Sequence, residues 1–355
     1  MDTYIIAEAG VNHNGSFEMA INLVKEAKKA GADAVKFQTF KAENLASKFA
    51  KKADYQQKNT SNNDSQLQML SKLELSHEEH YELYNLSKEI EIDFLSTAFD
   101  QESLDYLNKQ LNLEKLKISS VDLTNAPLLY EFGKTQKDII LSTGMSDFDE
   151  IKDALGVIAY GFLDLKEPSR VNFAKAFNSK DAQDILKRKV TLLHCTTEYP
   201  APLEEINLRA MRALKDKFNL RIGYSDHSEG ILVSIIAASN GAQVIEKHFT
   251  LDKQSEGPDH SSSLDPNELK EMVTSIRNIE VILGDKTKKP TKSELKNKIV
   301  ARKSLVASKD IQIGQKFSFE NITVKRPGSG KSPIEYWDLL GEVSEKSYLV
   351  DEVID

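Results

Sequence analysis

The chain has little cysteine and no long apolar run. Its 355 residues include a single cysteine, Cys195, which cannot form an internal disulfide. Because disulfides persist in oxidising compartments, one buried-looking thiol suits a reducing compartment. No segment approaches the roughly 18 apolar residues of a membrane span, and no basic segment followed by a long apolar one opens the sequence. We therefore predict a cytoplasmic protein with no membrane partner.

An excess of positive charge is also absent. The 47 Lys and Arg residues are outnumbered by 55 Asp and Glu residues, which gives a formal net charge of -8. With only one Trp as well, no nucleic-acid partner is predicted, although a small anion needs only a local basic pocket. Hydrophobic residues make up 40% of the chain, which is enough for a large core and for more than one domain.

Eight short apolar runs alternate with segments of helical period. They span residues 4–9, 34–38, 94–97, 116–120, 139–143, 191–196, 221–227 and 244–248. In the first helical segment, Ser16 is the predicted N-cap and Gly31 the predicted end. Eight strand–helix units predict a (β/α)8 barrel, whose strand ends meet at one mouth. A doubly wound open sheet is the alternative, but it would not gather eight polar strand ends in one place.

Two segments interrupt this rhythm. Residues 41–66 are too polar to pack and too long for an ordinary loop, so they form either a lid beside the mouth or a decorated surface loop. Residues 284–300 are rich in lysine and indicate a solvated linker. We therefore predict a catalytic barrel at residues 1–283, a linker at 284–300 and a small, turn-rich β domain at 301–355.

Two histidines end neighbouring strands of the predicted barrel. His227 and His248 close the seventh and eighth runs. With a carboxylate such as Glu8, two imidazoles would hold a divalent ion and leave positions open for water and substrate. One histidine alone would more often be a hydrogen-bonded structural residue, but the pair favours a metal site. His77 and His80 lie on a polar helix and are predicted to be at the surface.

Two lysines interrupt otherwise apolar strands. Lys36 and Lys117 would be buried, and a buried ammonium requires an anion. The partner is either a carboxylate of the barrel, such as Glu8 or Glu246, or a bound phosphate or carboxylate. A lysine that forms a Schiff base, as in an aldolase, is also compatible with this pattern. The hydroxyls of a predicted anion pocket would come from Thr97, Ser120, Ser142 and Ser225.

Several ordered motifs closely resemble the sialic acid synthase family, and the match covers nearly the whole chain. They are AEAGVNHNG at residues 7–15, VKFQT at 35–39, LSTGM at 141–145, HCTTEYP at 194–200, SDH at 225–227, EKHFT at 246–250 and GPDH at 257–260. Residues 301–355, with VKRPG at 324–328, resemble that family's C-terminal antifreeze-like (SAF, β-clip) domain. The resemblance implies a TIM barrel followed by this small domain.

The resemblance also implies an enzyme with N-acetylneuraminate synthase activity. Such an enzyme condenses phosphoenolpyruvate with an N-acylated mannosamine-type sugar and water, giving a nine-carbon 2-keto acid and phosphate. In the family, Mn²⁺ or Mg²⁺ is held by histidines that match His227 and His248, and Glu8 matches a base or charge-stabilising group. Phosphoenolpyruvate binding is implied for Lys36, Thr97, Lys117, Ser120, Ser142 and Ser225. Sugar binding is implied for Gln38, Asp122, Tyr199, Asp259 and Arg326.

The family forms a domain-swapped homodimer, in which the arginine matching Arg326 reaches the partner's active site. This chain departs from the family at Asp122, where glutamate is commoner. The shorter side chain changes a predicted sugar contact by one methylene, a scale on which related substrates are discriminated. A diacetamido-trideoxy sugar that gives legionaminic acid is therefore the alternative to N-acetylmannosamine.

Two further hypotheses about the function remain, one for a different substrate and one for a protein that is not an enzyme. A synthase of the same fold that acts on a sugar phosphate would need another basic cluster, and the sequence offers none beyond Lys36, Lys117 and Lys247. An ice-binding or interaction protein would use the small domain alone. It would not require polar residues at the strand ends of the barrel.

Overall fold

The computed structural model describes residues 3–60 and 64–355, which divide into two compact units. The first unit ends at Gly284 and contains eight strands. They are β1 (Tyr4–Gly10), β2 (Ala34–Thr39), β3 (Asp93–Ala98), β4 (Lys115–Ile118), β5 (Asp138–Ser142), β6 (Val190–His194), β7 (Arg221–Asp226) and β8 (Val244–His248). All pair in parallel and in sequential order, and β8 pairs with β1 to close a barrel. The predicted (β/α)8 barrel is confirmed.

Helices follow the strands around the barrel. Those of the first unit are α1 (Phe17–Ala30), α2 (Ala42–Leu45), α3 (Asp54–Asn59), α4 (Gln66–Ser71), α5 (His77–Glu89), α6 (Gln101–Asp105), α7 (Ala126–Lys134), α8 (Phe148–Phe162), α9 (Arg170–Phe177), α10 (Lys180–Lys189), α11 (Arg209–Phe218), α12 (Leu232–Ser239) and α13 (Pro266–Leu283). As predicted, Ser16 caps α1 by accepting from Met19 N, and Gly31 ends it with a φ of 86°. In the described parts of the chain, no helix has the length and apolar character needed to cross a membrane.

The barrel interior is built in layers, because alternate residues of each strand point inward. One layer is apolar and fully packed. It consists of Ile6, Ala34, Leu95, Ile140, Leu193 and Val244. Two residues further along the same strands the inward positions are occupied by polar groups or the single thiol: Glu8, Lys36, Thr97, Ser142, Cys195 and Glu246. The apolar layer therefore forms the floor on which the functional groups stand.

Gly223 shows how tightly this floor is packed. A Cβ added at Gly223 would lie 2.4 Å from the carbonyl oxygen of Val244 and 2.6 Å from a methyl carbon of Leu193. We expect Gly223→Ala to lower the free energy of unfolding by about 3 kcal/mol, since the backbone of β8 must shift. At Gly230 an added Cβ would meet nothing within 4 Å, and φ is 66°. Gly230→Ala should therefore cost only about 1 kcal/mol of backbone strain. Urea unfolding of both variants tests this order, and an equal loss would contradict it.

The second unit begins at Asp285 and has its own core. It contains α14 (Lys292–Ala301), β9 (Ser304–Ala307), β10 (Ile322–Lys325) and α15 (Tyr336–Leu339). β9 and β10 pair in antiparallel fashion. Apolar side chains from β9, β10, α15 and the loops form the core: Leu305, Ala307, Ile311, Phe317, Ile322, Leu339, Tyr348 and Ile354. Part of the segment predicted as a linker, residues 284–300, is therefore helical.

Candidate active site

A cavity of about 350 Å³ opens at the C-terminal end of the barrel strands. Its lining combines the polar layer with residues of the loops that follow the strands. All six residues predicted to bind phosphoenolpyruvate line it: Lys36, Thr97, Lys117, Ser120, Ser142 and Ser225. Glu8, His227, His248, Gln38, Tyr199 and Asp259 line it as well. The barrel thus brings together residues that are distant in the sequence.

Two buried lysines and two buried carboxylates form the centre of the cavity. Lys36 Nζ lies 2.8 Å from Glu8 Oε2 and 3.7 Å from Glu246 Oε2, and Lys117 Nζ lies 3.8 Å from Glu246 Oε1. None of the four side chains is more than 5% exposed. The sequence left two kinds of partner open for the lysines, a carboxylate of the barrel and a bound anion. The carboxylates are present, and the cavity beside them is large enough for an anion.

Burial and neighbouring charges shift the pKa values of the two lysines in opposite directions. Burial lowers the pKa of Lys36, but Glu246 and Glu8 outweigh it and raise the pKa above its usual value. For Lys117, burial lowers the pKa and the attraction of Glu246 only partly offsets it. A bound anion would favour the charged form of Lys117 in particular, because its protein partners do not fully compensate for its burial.

The pKa values of the two carboxyl groups, Glu8 and Glu246, also differ. Burial raises the pKa of Glu8 to about 7, although Lys36 opposes this shift. Burial alone would raise the pKa of Glu246, but Lys117 and Lys36 hold it below its usual value. Glu8 can therefore gain or lose a proton near neutral pH.

Hydroxyl groups extend this cluster around the cavity. Lys36 Nζ donates to Thr97 Oγ1 at 2.9 Å, and Lys117 Nζ donates to Ser142 Oγ at 2.6 Å. Ser225 Oγ donates to Glu246 Oε1 at 2.9 Å. Such a set of ammonium and hydroxyl donors matches the oxygens of a phosphate or carboxylate.

A glycine keeps space open beside these donors. The Gly144 backbone N–H donates to Ser120 Oγ at 2.9 Å. A Cβ at Gly144 would lie 2.4 Å from Thr197 Oγ1 and 3.0 Å from Ser120 Oγ. A larger residue would therefore push the hydroxyls of the cavity wall out of place.

The two predicted metal ligands face each other at the cavity. The ring centroids of His227 and His248 are 5.5 Å apart. His227 Nδ1 lies 2.6 Å from the carbonyl oxygen of Thr196, to which it donates, so Nε2 carries the lone pair. Burial lowers the pKa of His227 to about 4 and that of His248 well below its usual value. Both rings are therefore neutral at pH 7, as metal ligands must be.

The donor set fits a divalent ion only in part. Within residues 3–60 and 64–355, no group of three or more His, Cys, Asp or Glu side chains is arranged to hold a metal. His248 Nδ1 makes no hydrogen bond to the described residues, and Asp259 Oδ2 is 3.8 Å away. Glu8, expected as a third ligand, instead pairs with Lys36. An ion here would use two imidazoles and fill its other positions with water or substrate.

Three of the five predicted sugar contacts lie at the same cavity. Tyr199 stacks on His227 with centroids 4.2 Å apart, and burial raises the pKa of Asp259 to about 6. Gln38 completes this group. Asp122 does not line the cavity; its Oδ1 accepts from Asn125 Nδ2 at 3.0 Å.

Arg326 belongs to the second unit. Its Nε donates to the carbonyl oxygen of Ala301 at 3.1 Å. This contact lies within the second unit, so the role implied for Arg326 in a partner's site stays a prediction.

Sequence analysis missed several features of the site. The sequence places Glu246 at a polar strand end and predicts it as a salt-bridge partner of the lysines, but no role in the reaction is predicted for it, although its place two residues before His248 on the same strand face was a usable signal. The prediction for His80 was wrong, because this side chain is fully buried and contacts the carbonyl oxygens of Ser76 and Gln38. Residues 41–66 include α2, α3 and the start of α4, and several of them line the cavity, while residues 61–63 of this segment lie outside the described part.

The only cysteine should be chemically silent in the folded protein. Cys195 is 5% exposed, and burial raises the pKa of its thiol. Because the thiolate is the reactive form, iodoacetamide at neutral pH should leave Cys195 unmodified in native protein and alkylate it after unfolding in urea. Mass spectrometry of the intact chain measures both states. Rapid alkylation of the native protein would contradict the buried placement.

Comparison with known proteins identifies the family. The NeuB family matches residues 23–288, and the SAF domain matches residues 302–352. N,N'-diacetyllegionaminic acid synthase of Campylobacter jejuni is 51% identical over 99% of this chain and 98% of its own length, and the Legionella pneumophila synthase of the same name is 43% identical over 96% and 90%. The crystal structure of a sialic acid synthetase from Leptospira borgpetersenii in complex with citrate is 32% identical, covers 84% of this chain and 90% of its own, and superposes with a TM-score of 0.66. The chain is therefore a member of the NeuB family that carries a C-terminal SAF domain.

Proposed function

We propose that the protein condenses phosphoenolpyruvate with 2,4-diacetamido-2,4,6-trideoxymannose and water, giving N,N'-diacetyllegionaminic acid and phosphate. The observation that carries the reaction is the buried group of two lysines and two carboxylates beside two neutral histidines in one cavity. Two relatives, at 51% and 43% identity, are named for this product, which supports the diacetamido sugar over N-acetylmannosamine. N-Acetylmannosamine, placed first by the sequence alone, becomes the second candidate.

Phosphoenolpyruvate would bind over the lysine pair. Lys117 and Lys36 supply positive charge at the cavity floor, and the hydroxyls of Ser142 and Thr97, which already contact these ammonium groups, would complete the donor set. The low-dielectric surroundings strengthen each contact to an anion. This binding mode would hold the phosphate and the carboxylate in a fixed orientation, so that carbon 3 faces the sugar aldehyde.

The sugar aldehyde would lie at the histidine pair. His227 and His248 would hold a divalent ion, Mn²⁺ or Mg²⁺, which when bound polarises the aldehyde oxygen. The hydrogen bond from His227 Nδ1 to Thr196 leaves Nε2 as the acceptor of the ring, and Nε2 lies 3.1 Å from the hydroxyl of Tyr199, which lines the cavity. Tyr199, stacked on that ring, would contact the sugar.

Glu8 is suited to move the proton that the reaction requires. Carbon 3 of phosphoenolpyruvate forms a bond to the aldehyde carbon, water adds at carbon 2, and the bond from carbon 2 to the phosphate oxygen breaks. The water must lose a proton, and the aldehyde oxygen must gain one. With a pKa of about 7 and a position beside Lys36, Glu8 can accept the first of these protons.

A sugar phosphate is disfavoured as the substrate. Lys36 and Lys117 are the only lysine or arginine side chains among the described residues that line the cavity. The third candidate, Lys247, is fully buried elsewhere and pairs with Asp226 at 3.2 Å. Among the described side chains of this unit, a second phosphate would therefore lack a cationic partner.

The assembly implied by the resemblance can be tested through Arg326. If Arg326 acts in a partner's site, Arg326→Ala and His227→Leu chains should each be nearly inactive as homodimers. Mixed dimers would contain one intact site, so a refolded equimolar mixture should regain about a quarter of wild-type activity. No recovery in verified mixed dimers would contradict an action of Arg326 across the dimer.

The test of the proposed function is phosphate release from phosphoenolpyruvate in the presence of Mn²⁺. Three sugars are run side by side: the diacetamido-trideoxy sugar, N-acetylmannosamine and N-acetylmannosamine 6-phosphate. We expect the highest kcat/KM for the first. No release with any sugar would overturn the reaction, whereas preference for another sugar would overturn the substrate alone.

A further inference from the structure

One side of the cavity is apolar, and the roles assigned above to the charged groups do not use it. We call this surface the apolar wall and define it by its residues, which come from α2, the residue after it, α4 and the loops after α4 and β3. They are Leu45, Ala46, Met69, Leu70, Leu73 and Phe99. The rest of the cavity is dominated by charges and hydroxyls. A ligand that fills the cavity must therefore be polar in one part and apolar in another.

The apolar wall is fixed by packing of its own. Met69 and Leu73 are buried in a small cluster with Val11 and Phe40, and Leu45, Leu70 and Phe99 pack against this cluster. Phe99 meets Phe40 edge to face, with centroids 6.2 Å apart. The side chains of the wall are thus held in place by their packing against one another.

Two further contacts hold the helices of the wall. The backbone N–H of Ala42, at the start of α2, donates to Glu74 Oε1 at 2.5 Å, which links α2 to the segment after α4. A Cβ at Gly15 would lie 2.3 Å from the carbonyl oxygen of Lys72, so the first barrel loop approaches the end of α4 closely. The α2 part of the wall is therefore held to the segment after α4, and the end of α4 is held against the loop after β1.

The chemistry of the wall matches one part of the proposed sugar. The reacting aldehyde must lie at the polar groups, so the remainder of the sugar meets the remaining lining. Hydroxyls at carbons 4 and 6, as in N-acetylmannosamine, would lose water there without gaining partners from aliphatic side chains. A methyl at carbon 6 and the methyl of an acetamido group at carbon 4 would instead be buried favourably. The amides of Gln56 and Gln66, which also line the cavity, suit the amide of such an acetamido group.

We propose that the apolar wall is the subsite that selects an amino sugar with a methyl group at carbon 6 and an acylated amine at carbon 4. This inference rests on the proposed function and names the residues that set its sugar preference. Leu45, Leu70 and Phe99 carry the selection most directly, because all three are half-buried and line the cavity.

Leu70→Asn tests the wall with a matched control on the same helix. Leu67 is also half-buried on α4 but does not line the cavity, so Leu67→Asn introduces the same change away from the ligand. The measured quantity is the ratio of kcat/KM for the diacetamido-trideoxy sugar to that for N-acetylmannosamine. We expect Leu70→Asn to lower this ratio about 10-fold, the scale of a methylene-sized contact, and Leu67→Asn to leave it within about twofold. The KM for phosphoenolpyruvate should stay unchanged in both variants.

The outcomes separate the subsite from the proposed function. An unchanged ratio in folded Leu70→Asn and Leu45→Asn proteins would overturn the subsite, even if wild-type protein prefers the diacetamido sugar. If wild-type protein shows no turnover, the subsite can still be tested by calorimetry. The affinity of the protein for each sugar is then measured in the presence of Mn²⁺ and without phosphoenolpyruvate. Tighter binding of the diacetamido sugar that Leu70→Asn weakens would support the wall, and equal binding of both sugars would overturn it.

Discussion

Replacing Lys117 by methionine is expected to lower kcat/KM for phosphoenolpyruvate about 10³-fold, because the change removes a buried charge that faces the substrate in the proposed binding mode. The Lys117 side chain is 3% exposed, and its Nζ donates to Ser142 and lies 3.8 Å from Glu246. Methionine keeps the length of the side chain but leaves Glu246 with one cationic neighbour, Lys36. The loss should fall on both KM and kcat, since in the proposed mechanism the same charge binds phosphoenolpyruvate and supports departure of the phosphate.

The strand that carries Lys117 also supplies the control. Lys115 lies two residues earlier on β4, is 38% exposed and pairs with Asp93. Surface pairs contribute little, so Lys115→Met should change kcat/KM less than about twofold. Steady-state kinetics of both variants, with circular dichroism to verify folding, provide the measurement. A Lys117→Met protein that is folded and fully active would contradict the placement of phosphoenolpyruvate over the lysine pair.

Loss of either cavity histidine is expected to abolish turnover, with a decrease of at least about 10³-fold. His227 and His248 supply the two imidazoles that face each other across 5.5 Å between ring centroids. Each His→Leu change would remove half of the nitrogen donors, so Mn²⁺ should bind far more weakly. Binding can be followed by the electron paramagnetic resonance signal of free Mn²⁺. EDTA should inactivate the wild-type protein, and added Mn²⁺ should restore it.

His77 provides the control for the histidine variants. Its ring stacks on Tyr106 with centroids 3.9 Å apart and lies outside the cavity lining. His77→Leu should keep both Mn²⁺ binding and turnover. Unchanged Mn²⁺ affinity in His227→Leu and His248→Leu proteins would place any metal elsewhere.

The barrel and its polar strand ends could be predicted from the sequence, because both depend on local patterns. Each strand is a short apolar run, and the polar residue that ends it lies at the same end of the barrel as the others. Lys36 and Lys117 interrupt such runs, and this interruption marks them as inward-facing polar groups. The strand order then places His227 and His248 next to each other, since β7 and β8 pair.

Features that depend on contacts between distant segments could not be predicted. Lys36 pairs with Glu8 more closely than with Glu246, and this choice depends on the positions of side chains from three different strands. His80 is buried although its own helix is polar, and its Nε2 lies 3.3 Å from the carbonyl oxygen of Gln38 on a distant strand. Asp122 turns towards Asn125 within a short 3₁₀ turn, which its position after β4 does not reveal.

The apolar wall illustrates the same limit. Residues 41–66 are polar on average, so their composition indicates a lid or a surface loop. The apolar positions of α4 and the residues after it, Met69, Leu70 and Leu73, have helical spacing, but their partners Phe40 and Phe99 come from other elements. Only the folded arrangement shows that these residues form one face of the cavity.

The most direct test of the central claim is the fate of solvent oxygen. Wild-type protein is incubated with phosphoenolpyruvate, Mn²⁺ and 2,4-diacetamido-2,4,6-trideoxymannose in ¹⁸O-labelled water. The masses of the phosphate and of the sugar product are then measured by mass spectrometry. We expect a nine-carbon 2-keto acid in equal amount to unlabelled phosphate, and no phosphate without the sugar. Labelled phosphate would contradict cleavage of the bond between carbon 2 and the phosphate oxygen, and release that does not depend on the sugar would contradict condensation.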